Sequence, residues 1–167
     1  GGRTQVVEAG RLSGLSSLEV SNASLLFGSN NQGVQAVSST LDRLKDDAAI
    51  VLRGGMLQFR GIAAQTYAET IGAITLKEGA SIIDIAEPGT NLSQYDVTAA
   101  SMARTDGSRA TLRFIGIDGA VYQKARLFFS SAPTLTNRLI GGWAVFETEF
   151  ASYTSGMGVG GLSTAGY

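Results

Sequence analysis

The chain has 167 residues, of which 44% are hydrophobic and 16% are charged, and its formal net charge is −1. This length allows one domain with a buried core, and the charge balance gives no electrostatic reason to expect a nucleic acid or an anionic membrane as partner. Histidine and cysteine are both absent, which excludes Ser-His-Asp and Cys-His catalysis, imidazole or thiolate metal sites, and disulfides. No stretch approaches 18 apolar residues, so we expect no membrane insertion.

A short sequence motif recurs along the chain: a small residue, an apolar residue and a large apolar residue, followed by glycine or a turn. Its copies occupy residues 23–28, 55–61, 79–85 and 110–116. Each copy follows another short apolar strand across a turn, at residues 18–20, 50–52, 74–76 and 100–102. Recurrence of this kind is typical of a solenoid, in which each unit buries its apolar face against its neighbours. We therefore predict an all-β, right-handed parallel β-helix, with an antiparallel β-sandwich as the alternative.

The turns between these strands carry glycine where the backbone needs positive φ. Gly54, Gly79, Gly107 and Gly119 each follow a polar residue or another turn former, a composition typical of tight turns. Within the strands the apolar residues alternate with polar or small ones, as expected for one buried face.

The alternation also predicts which side chains face the core. Leu57, Ile83 and Leu112 are expected to point inward. Their neighbours Gln58, Asp84 and Arg113 are expected to point outward as a ladder of mixed charge. The aromatic residues Phe27, Phe59 and Phe114 recur at one position of the motif, which predicts a stacked column in the core.

Two segments depart from the pattern within what we predict to be a single domain over residues 1–167. Residues 29–47 are polar and poor in strand formers, which predicts a loop inserted in one coil. Residues 39–44 within it could form a helical turn with Ser39 as N-cap. Residues 127–167 are rich in aromatics and glycine and are expected to close the module or to join it to another.

Several patterns that could carry chemistry are better explained as structure. Residues 156–161 fit G-x-G-x-x-G, but no acidic residue follows them, as a dinucleotide site would require. Asp42, Asp46 and Asp47 lack the alternating spacing of a calcium loop. We expect no metal, no cofactor and no catalytic residue.

Glycan chemistry remains the main alternative to a structural role. Asp84 and the nearby Glu87 are acidic, and glycoside cleavage needs a pair of carboxyl groups. Trp143 and Tyr153 could form a platform on which a sugar stacks. The apolar residues that flank these aromatics favour packing, and the mixed charges around Asp84 favour a ladder.

The chain resembles the autotransporter-associated β-strand repeat of large bacterial surface proteins. The resemblance is carried by residues 52–57, 69–81 and 104–114, and by the closing residues 140–144 and 150–153. It implies a β-helical, exported, extracellular or cell-surface protein without known catalysis.

These observations predict a structural building block of an extracellular bacterial filament, stalk or giant adhesin. A polysaccharide-binding or polysaccharide-cleaving domain is the alternative. Solenoid ends expose strand edges, and the 18 residues after Glu149 hold no charge and no proline. We therefore expect head-to-tail contact between identical subunits or tandem copies, and a glycan is possible as a further partner. The predicted interface residues are Thr4, Val6, Tyr153, Val159, Leu162 and Tyr167.

Overall fold

A computed structural model describes residues 1–7, 10–28, 42–61, 66–86, 94–117 and 124–163. Over these residues the fold is all-β without a helix, and its parallel sheets stack as a β-solenoid of about three turns. This confirms the predicted parallel β-helix and excludes the sandwich. No helix in the described residues is long and apolar enough to cross a membrane.

The strands form three sheets, which are the three sides of the solenoid. In spatial order, the first sheet contains β1 (Arg3–Val6), β3 (Ser24–Phe27), β5 (Met56–Arg60), β8 (Ala80–Ala86), β11 (Thr111–Ile115), β13 (Ala144–Phe146), β14 (Glu149–Thr154) and β15 (Gly158–Gly161). The second sheet contains β10 (Met102–Arg104), β7 (Ile74–Glu78), β4 (Ala49–Arg53) and β2 (Ser17–Ser21). The third sheet contains β12 (Ala125–Phe129), β9 (Gln94–Ala99) and β6 (Thr66–Ile71). One complete turn visits the first, third and second sheets, as in β5, β6 and β7.

The recurring motif forms one side of the solenoid. Its four copies become β3, β5, β8 and β11, which are neighbours in the first sheet and pair in parallel. The preceding apolar segments become or overlap β2, β4, β7 and β10, which are neighbours in the second sheet. The repeat was therefore a correct indication of which strands stack.

The core consists of columns of apolar side chains that run along the stack. Leu25, Leu57 and Ile83 occupy one column, in which the three residues are in register and almost inaccessible. In the adjacent column the rings of Phe27 and Phe59 stack with centroids 5.5 Å apart. Contact between like residues on successive coils buries each apolar face and so holds the coils together.

One part of the predicted register is wrong. Phe114 pairs with Ile83, so it extends the Leu57 column and not the Phe59 column. Likewise, Arg113 pairs with Ile82 and not with Asp84. The displacement is two residues, which preserves the alternation between faces. Leu57, Ile83 and Leu112 are accordingly all buried, as predicted, and Arg113 is exposed.

The corner between the second and first sheets needs left-handed backbone on every coil. Asn22, Gly54, Gly79 and Gly107 stand there with φ between 46° and 71°, and the three glycines confirm the predicted turn chemistry. Gly54 and Gly79 also stack closely, since a Cβ added to Gly79 would lie 2.9 Å from the Gly54 Cα. The predicted turn at Gly119 lies outside the described residues.

Most of the predicted loop over residues 29–47 lies outside the described residues, as do the first three residues of the proposed helical turn. The last part of this predicted loop, residues 42–47, is described and is not wholly exposed. Arg43 and Leu44 are buried, and Leu44 forms a parallel bridge with Leu12. These two residues therefore belong to the wall of the solenoid, because Leu44 is part of the buried core.

The C-terminal segment ends the stack with a change of strand direction. β13 pairs in parallel with β11, whereas β14 and β15 continue the sheet in antiparallel pairing. This meander carries its residues back over the last complete coil, so that β15 also contacts β12 of the third sheet.

Candidate functional site at the ends of the solenoid

β1 is the outermost described strand of the first sheet. Among the described strands it pairs with β3 alone, and the carbonyl groups of Gly2 and Val6 accept hydrogen bonds from the N–H groups of Ser24 and Gly28 at 2.9 Å. In a parallel pair, alternate residues direct both backbone groups to the same side. The N–H and C=O groups of Arg3 and Gln5 therefore face away from β3, and both side chains are exposed.

Aliphatic side chains lie next to this edge. Leu12, Leu15 and Leu18 are only partly buried and pack against the core. Val6, which is 8% exposed, ends the column of Phe27 and Phe59. The end therefore combines unpaired backbone groups with a margin of apolar surface, a combination that favours addition of another strand.

At the opposite end of the solenoid, the described hairpin of β14 and β15 packs over β12. All four residues of β15 are buried, and three of them are glycines, so that burial there means burial of the backbone itself. Gly158 lies directly against the carbonyl group of Leu127 in β12. In addition, the hydroxyl group of Tyr153 lies 3.3 Å from the Phe129 N and 3.4 Å from the Phe129 O. The hairpin thus covers the edge of the last third-sheet strand.

The structure places the six predicted interface residues in different environments. Thr4 is exposed on the free edge, whereas Val6, Tyr153 and Val159 are buried in the chain's own core. Leu162 is partly exposed, and Tyr167 lies outside the described residues. Within the chain itself Tyr153 and Val159 therefore belong to a C-terminal segment that packs on the solenoid, and Val6 packs on the column of Phe27 and Phe59.

One exposed aromatic residue was not predicted as a site. Phe150 is 48% exposed and, with Val145 and Leu162, lines a surface depression of about 260 Å³. Its neighbours in the sequence gave no sign of exposure, since only the β14 register decides which side chains of that strand face outward.

A buried carboxylate links the N-terminal coil to the rest of the solenoid. Glu69 on β6 faces the core and accepts hydrogen bonds from the N–H groups of Arg43 and Leu44, both to Oε1, at 3.0 and 2.9 Å. The Arg43 side chain in turn donates to the Val6 carbonyl group at 3.1 Å. Burial raises the pKa of Glu69 to about 7, although the two N–H donors act in the opposite direction. Sequence reasoning missed this residue because a lone glutamate in an alternating strand gives no signal of its own.

Asp84 is held in a buried ion pair. By alternation Asp84 and Gln58 face away from the core, as predicted, yet they are only 4% and 9% exposed. Arg60 donates from Nη1 to Asp84 Oδ1 at 2.8 Å and also bonds Oδ2, to which Gln58 donates at 3.0 Å. Both carboxylate oxygens are therefore engaged, which does not favour a role as general acid or base. Glu87, the second acid considered, lies outside the described residues.

The two aromatics proposed as a sugar platform are not brought together as an exposed surface. Tyr153 is buried beside Phe129, with ring centroids 5.5 Å apart. Trp143 lines a polar pocket of about 520 Å³, where the Arg104 guanidinium lies over the indole at 5.5 Å. Gly141 packs against the same indole, so the ring already has close neighbours within the chain.

The remaining motifs also have structural environments. The glycines over residues 156–161 form the β14–β15 turn and β15, not a strand-to-helix turn. Asp47 is exposed and pairs with Lys45 at 2.6 Å, and no cluster suited to a metal ion occurs among the described side chains. Within the described part of the chain, the N-terminal strand edge is thus the strongest candidate for a functional surface. Comparisons of the chain with protein-family models, with curated proteins and with solved structures find no match.

Proposed function

We propose that this chain is a structural building block: a β-solenoid module of an exported bacterial filament, stalk or giant adhesin. The observation that carries the proposal is the β-solenoid itself, in which parallel strands form one continuous stack of coils. The resemblance to the autotransporter-associated β-strand repeat supports the same class of protein. The role requires no catalytic group.

The mechanical basis of the role is the stacking itself. Successive coils lie about 4.8 Å apart, and every strand inside the stack bonds two neighbours along the long axis. Ion pairs between coils reinforce the outer faces, as where Arg126 donates twice to Asp96 at 2.7 Å. On the second sheet Arg53 bridges Glu19 and Glu78 at 3.2 and 2.8 Å. An object built in this way is a stiff spacer, suited to holding other parts of a surface protein at a distance.

Contact with a further coil or with another chain would use the accessible edge of β1. At the C-terminal end β15 is buried, so a head-to-tail contact there would use other surfaces than the edge of β15. The polysaccharide alternative gains no specific support, since Asp84 is paired with Arg60 and Trp143 packs against Gly141 and Arg104.

Immunogold electron microscopy of the source cells tests the proposal. Antibodies raised against the purified chain should label filaments or the outer surface of unpermeabilised cells. Serum that has first been adsorbed with the purified chain is the control and should give no label. Labelling only of the cytoplasm, after permeabilisation, would contradict an extracellular structural role.

A further inference from the structure

We propose that the polar pocket between β10 and the segment of residues 133–143 binds a zwitterionic α-amino acid with an apolar side chain. The pocket has a volume of about 520 Å³, which lies within the range usual for small-molecule sites. It is beside β10, the outermost described strand of the second sheet. The inference goes beyond the proposed structural role and does not depend on it.

The first step is the position of Arg104. It pairs with Leu76 of β7, and Leu76 is followed in the stack by Leu52 and Val20. These three aliphatic side chains are buried in the core. Arg104 therefore continues an inward-facing column that is otherwise aliphatic, and its side chain lines the pocket. Because a guanidinium group that is partly removed from water needs a polar partner, this position favours an anionic group in the pocket.

The second step is the way in which the guanidinium group is held. It lies over the Trp143 ring, 5.5 Å from the centroid. The indole is fixed in turn, since Gly141 packs against it and the Trp143 carbonyl group accepts from the Leu112 N–H group at 2.9 Å. Among the described residues Arg104 has no partner in an ion pair or a side-chain hydrogen bond. Its N–H donors are thus positioned and available for a carboxylate group.

The third step is the second charge. Asp106 lines the same pocket, and within the described chain it pairs neither with Arg104 nor with another cation. Two opposite charges that line one pocket without pairing are complementary to a ligand that carries both charges. A carboxylate would bind Arg104 and an ammonium group would bind Asp106. A ligand with negative charge alone would be repelled by Asp106.

The fourth step is the apolar part of the lining. Met102, Pro133 and Ile140 contribute aliphatic surface beside the two charges. Met102 and Ile140 also belong to the core, so this part of the wall is held in place by packing. An aliphatic side chain on the ligand would remove this surface from water. Leucine combines such a side chain with the two charges and is the probe of choice.

Isothermal titration calorimetry of the purified chain with L-leucine tests the site. We expect one site per chain with a Kd of about 1 mM or lower. Arg104→Met and Asp106→Asn should each raise the Kd by roughly tenfold or more, because each removes a charge-assisted contact. Arg109→Met is the matched control, since Arg109 is exposed and lies outside the pocket lining, and it should leave the Kd within about twofold. Circular dichroism checks that the variants remain folded.

Two analogues of leucine assign each charge to its residue. L-Leucinamide lacks the carboxylate and N-acetyl-L-leucine lacks the ammonium group, and each should bind roughly tenfold more weakly than leucine. Asp106→Asn should weaken the binding of leucine but not that of N-acetyl-L-leucine. Arg104→Met should weaken the binding of leucine but not that of L-leucinamide. A residue that only supported the shape of the pocket would affect all three ligands alike.

Three results would overturn the inference. They are the absence of saturable binding up to about 20 mM leucine, an unchanged Kd in Arg104→Met, and binding of D-glucuronate as tight as that of leucine. The last result would assign the pocket to an anion without an ammonium group. Surface label without leucine binding removes this inference alone, whereas leucine binding with cytoplasmic label removes the proposed function alone.

Discussion

The hydroxyl group of Tyr153 contacts both backbone groups of Phe129: it accepts from the N–H group at 3.3 Å and donates to the carbonyl oxygen at 3.4 Å. Phe129 ends β12, the last strand of the third sheet. One side chain thus performs the pairing that a further strand would otherwise perform. This contact explains how the stack can stop at its C-terminal end without leaving that residue's buried backbone unpaired.

Loss of this hydroxyl group should destabilise the fold. Tyr153→Phe keeps the ring against Phe129 but leaves both backbone groups of that residue without their partner. Because the two bonds are long, we expect a cost near the lower end of the usual range, about 1 kcal/mol in the free energy of unfolding. Urea denaturation measures it, and Phe150→Leu at the exposed surface of the same strand is the control. Equal stability of Tyr153→Phe and the natural chain would contradict the capping role.

The register of the first sheet predicts opposite effects for two adjacent residues. Leu112 is 1% exposed, so Leu112→Ala should cost roughly 2–5 kcal/mol. The neighbouring Arg113 is exposed. Its Nε donates to the Glu147 carbonyl group at 3.1 Å and its Nη2 lies 3.6 Å from the Glu147 carboxylate. Because both contacts are exposed to solvent, Arg113→Ala should lie within about 1 kcal/mol of neutral. Chemical denaturation of both variants checks the pair. A larger loss for Arg113→Ala than for Leu112→Ala would contradict the alternation of faces.

Substitutions at two corner glycines distinguish the stability cost of backbone strain from that of close packing. Gly107 has φ +71° and nothing near its missing Cβ, so Gly107→Ala should cost only the strain, about 1–2 kcal/mol. Gly79 has φ +70° and an added Cβ would lie 2.9 Å from the Gly54 Cα. Gly79→Ala should therefore cost about 1–3 kcal/mol more than Gly107→Ala. Thermal and urea unfolding of the two variants gives the difference, and equal losses would show that the corner is not tightly stacked.

Stability should fall as the pH rises through the range in which Glu69 ionises. Its pKa is raised from 4.5 to about 7 in the folded chain, so between these values the folded state binds more protons than the unfolded state. The free energy of unfolding should then decrease between about pH 4.5 and pH 7, by a total on the order of 3 kcal/mol. The charged and titratable groups around Glu69 are Arg43, Asp42, Tyr95 and Tyr67.

Urea unfolding at several pH values tests this dependence. Glu69→Gln keeps an oxygen that accepts from Arg43 and Leu44 but has no proton to lose. It should therefore abolish most of the slope and be more stable than the natural chain at pH 8. Glu78→Gln changes an exposed glutamate and should leave the slope in place. An unchanged slope in Glu69→Gln would show that another group is responsible.

Removal of divalent cations should leave the fold unchanged. Asp42, Asp46 and Asp47 do not have the spacing of a calcium loop, and Asp47 pairs with Lys45. A chelator should therefore shift the melting temperature by no more than about two degrees, since no bound metal contributes to folding. A fall that is reversed by added calcium would contradict this expectation.

The architecture could be predicted from the pattern of residues along the chain. The recurring motif and the apolar segments before it identified the strands of two sides of the solenoid, because each coil must place apolar side chains at the same inward positions as its neighbours. The alternation assigned Leu57, Ile83 and Leu112 to the core correctly. The alternation did not reveal the two-residue shift in register at Phe114, since such a shift keeps the same residues facing the core and changes only the residues with which they pair.

Which apolar residues are exposed depends on the folded chain as a whole. Tyr153 and Val159 belong to an uncharged segment that looks exposed in sequence, yet they are buried because the chain reverses at β14 and covers β12. Burial of Glu69 and Asp84 was likewise decided by contacts between residues about 25 positions apart. Alternation along a strand specifies which face a side chain occupies; what covers that face depends on the rest of the chain, and a local pattern does not contain that information.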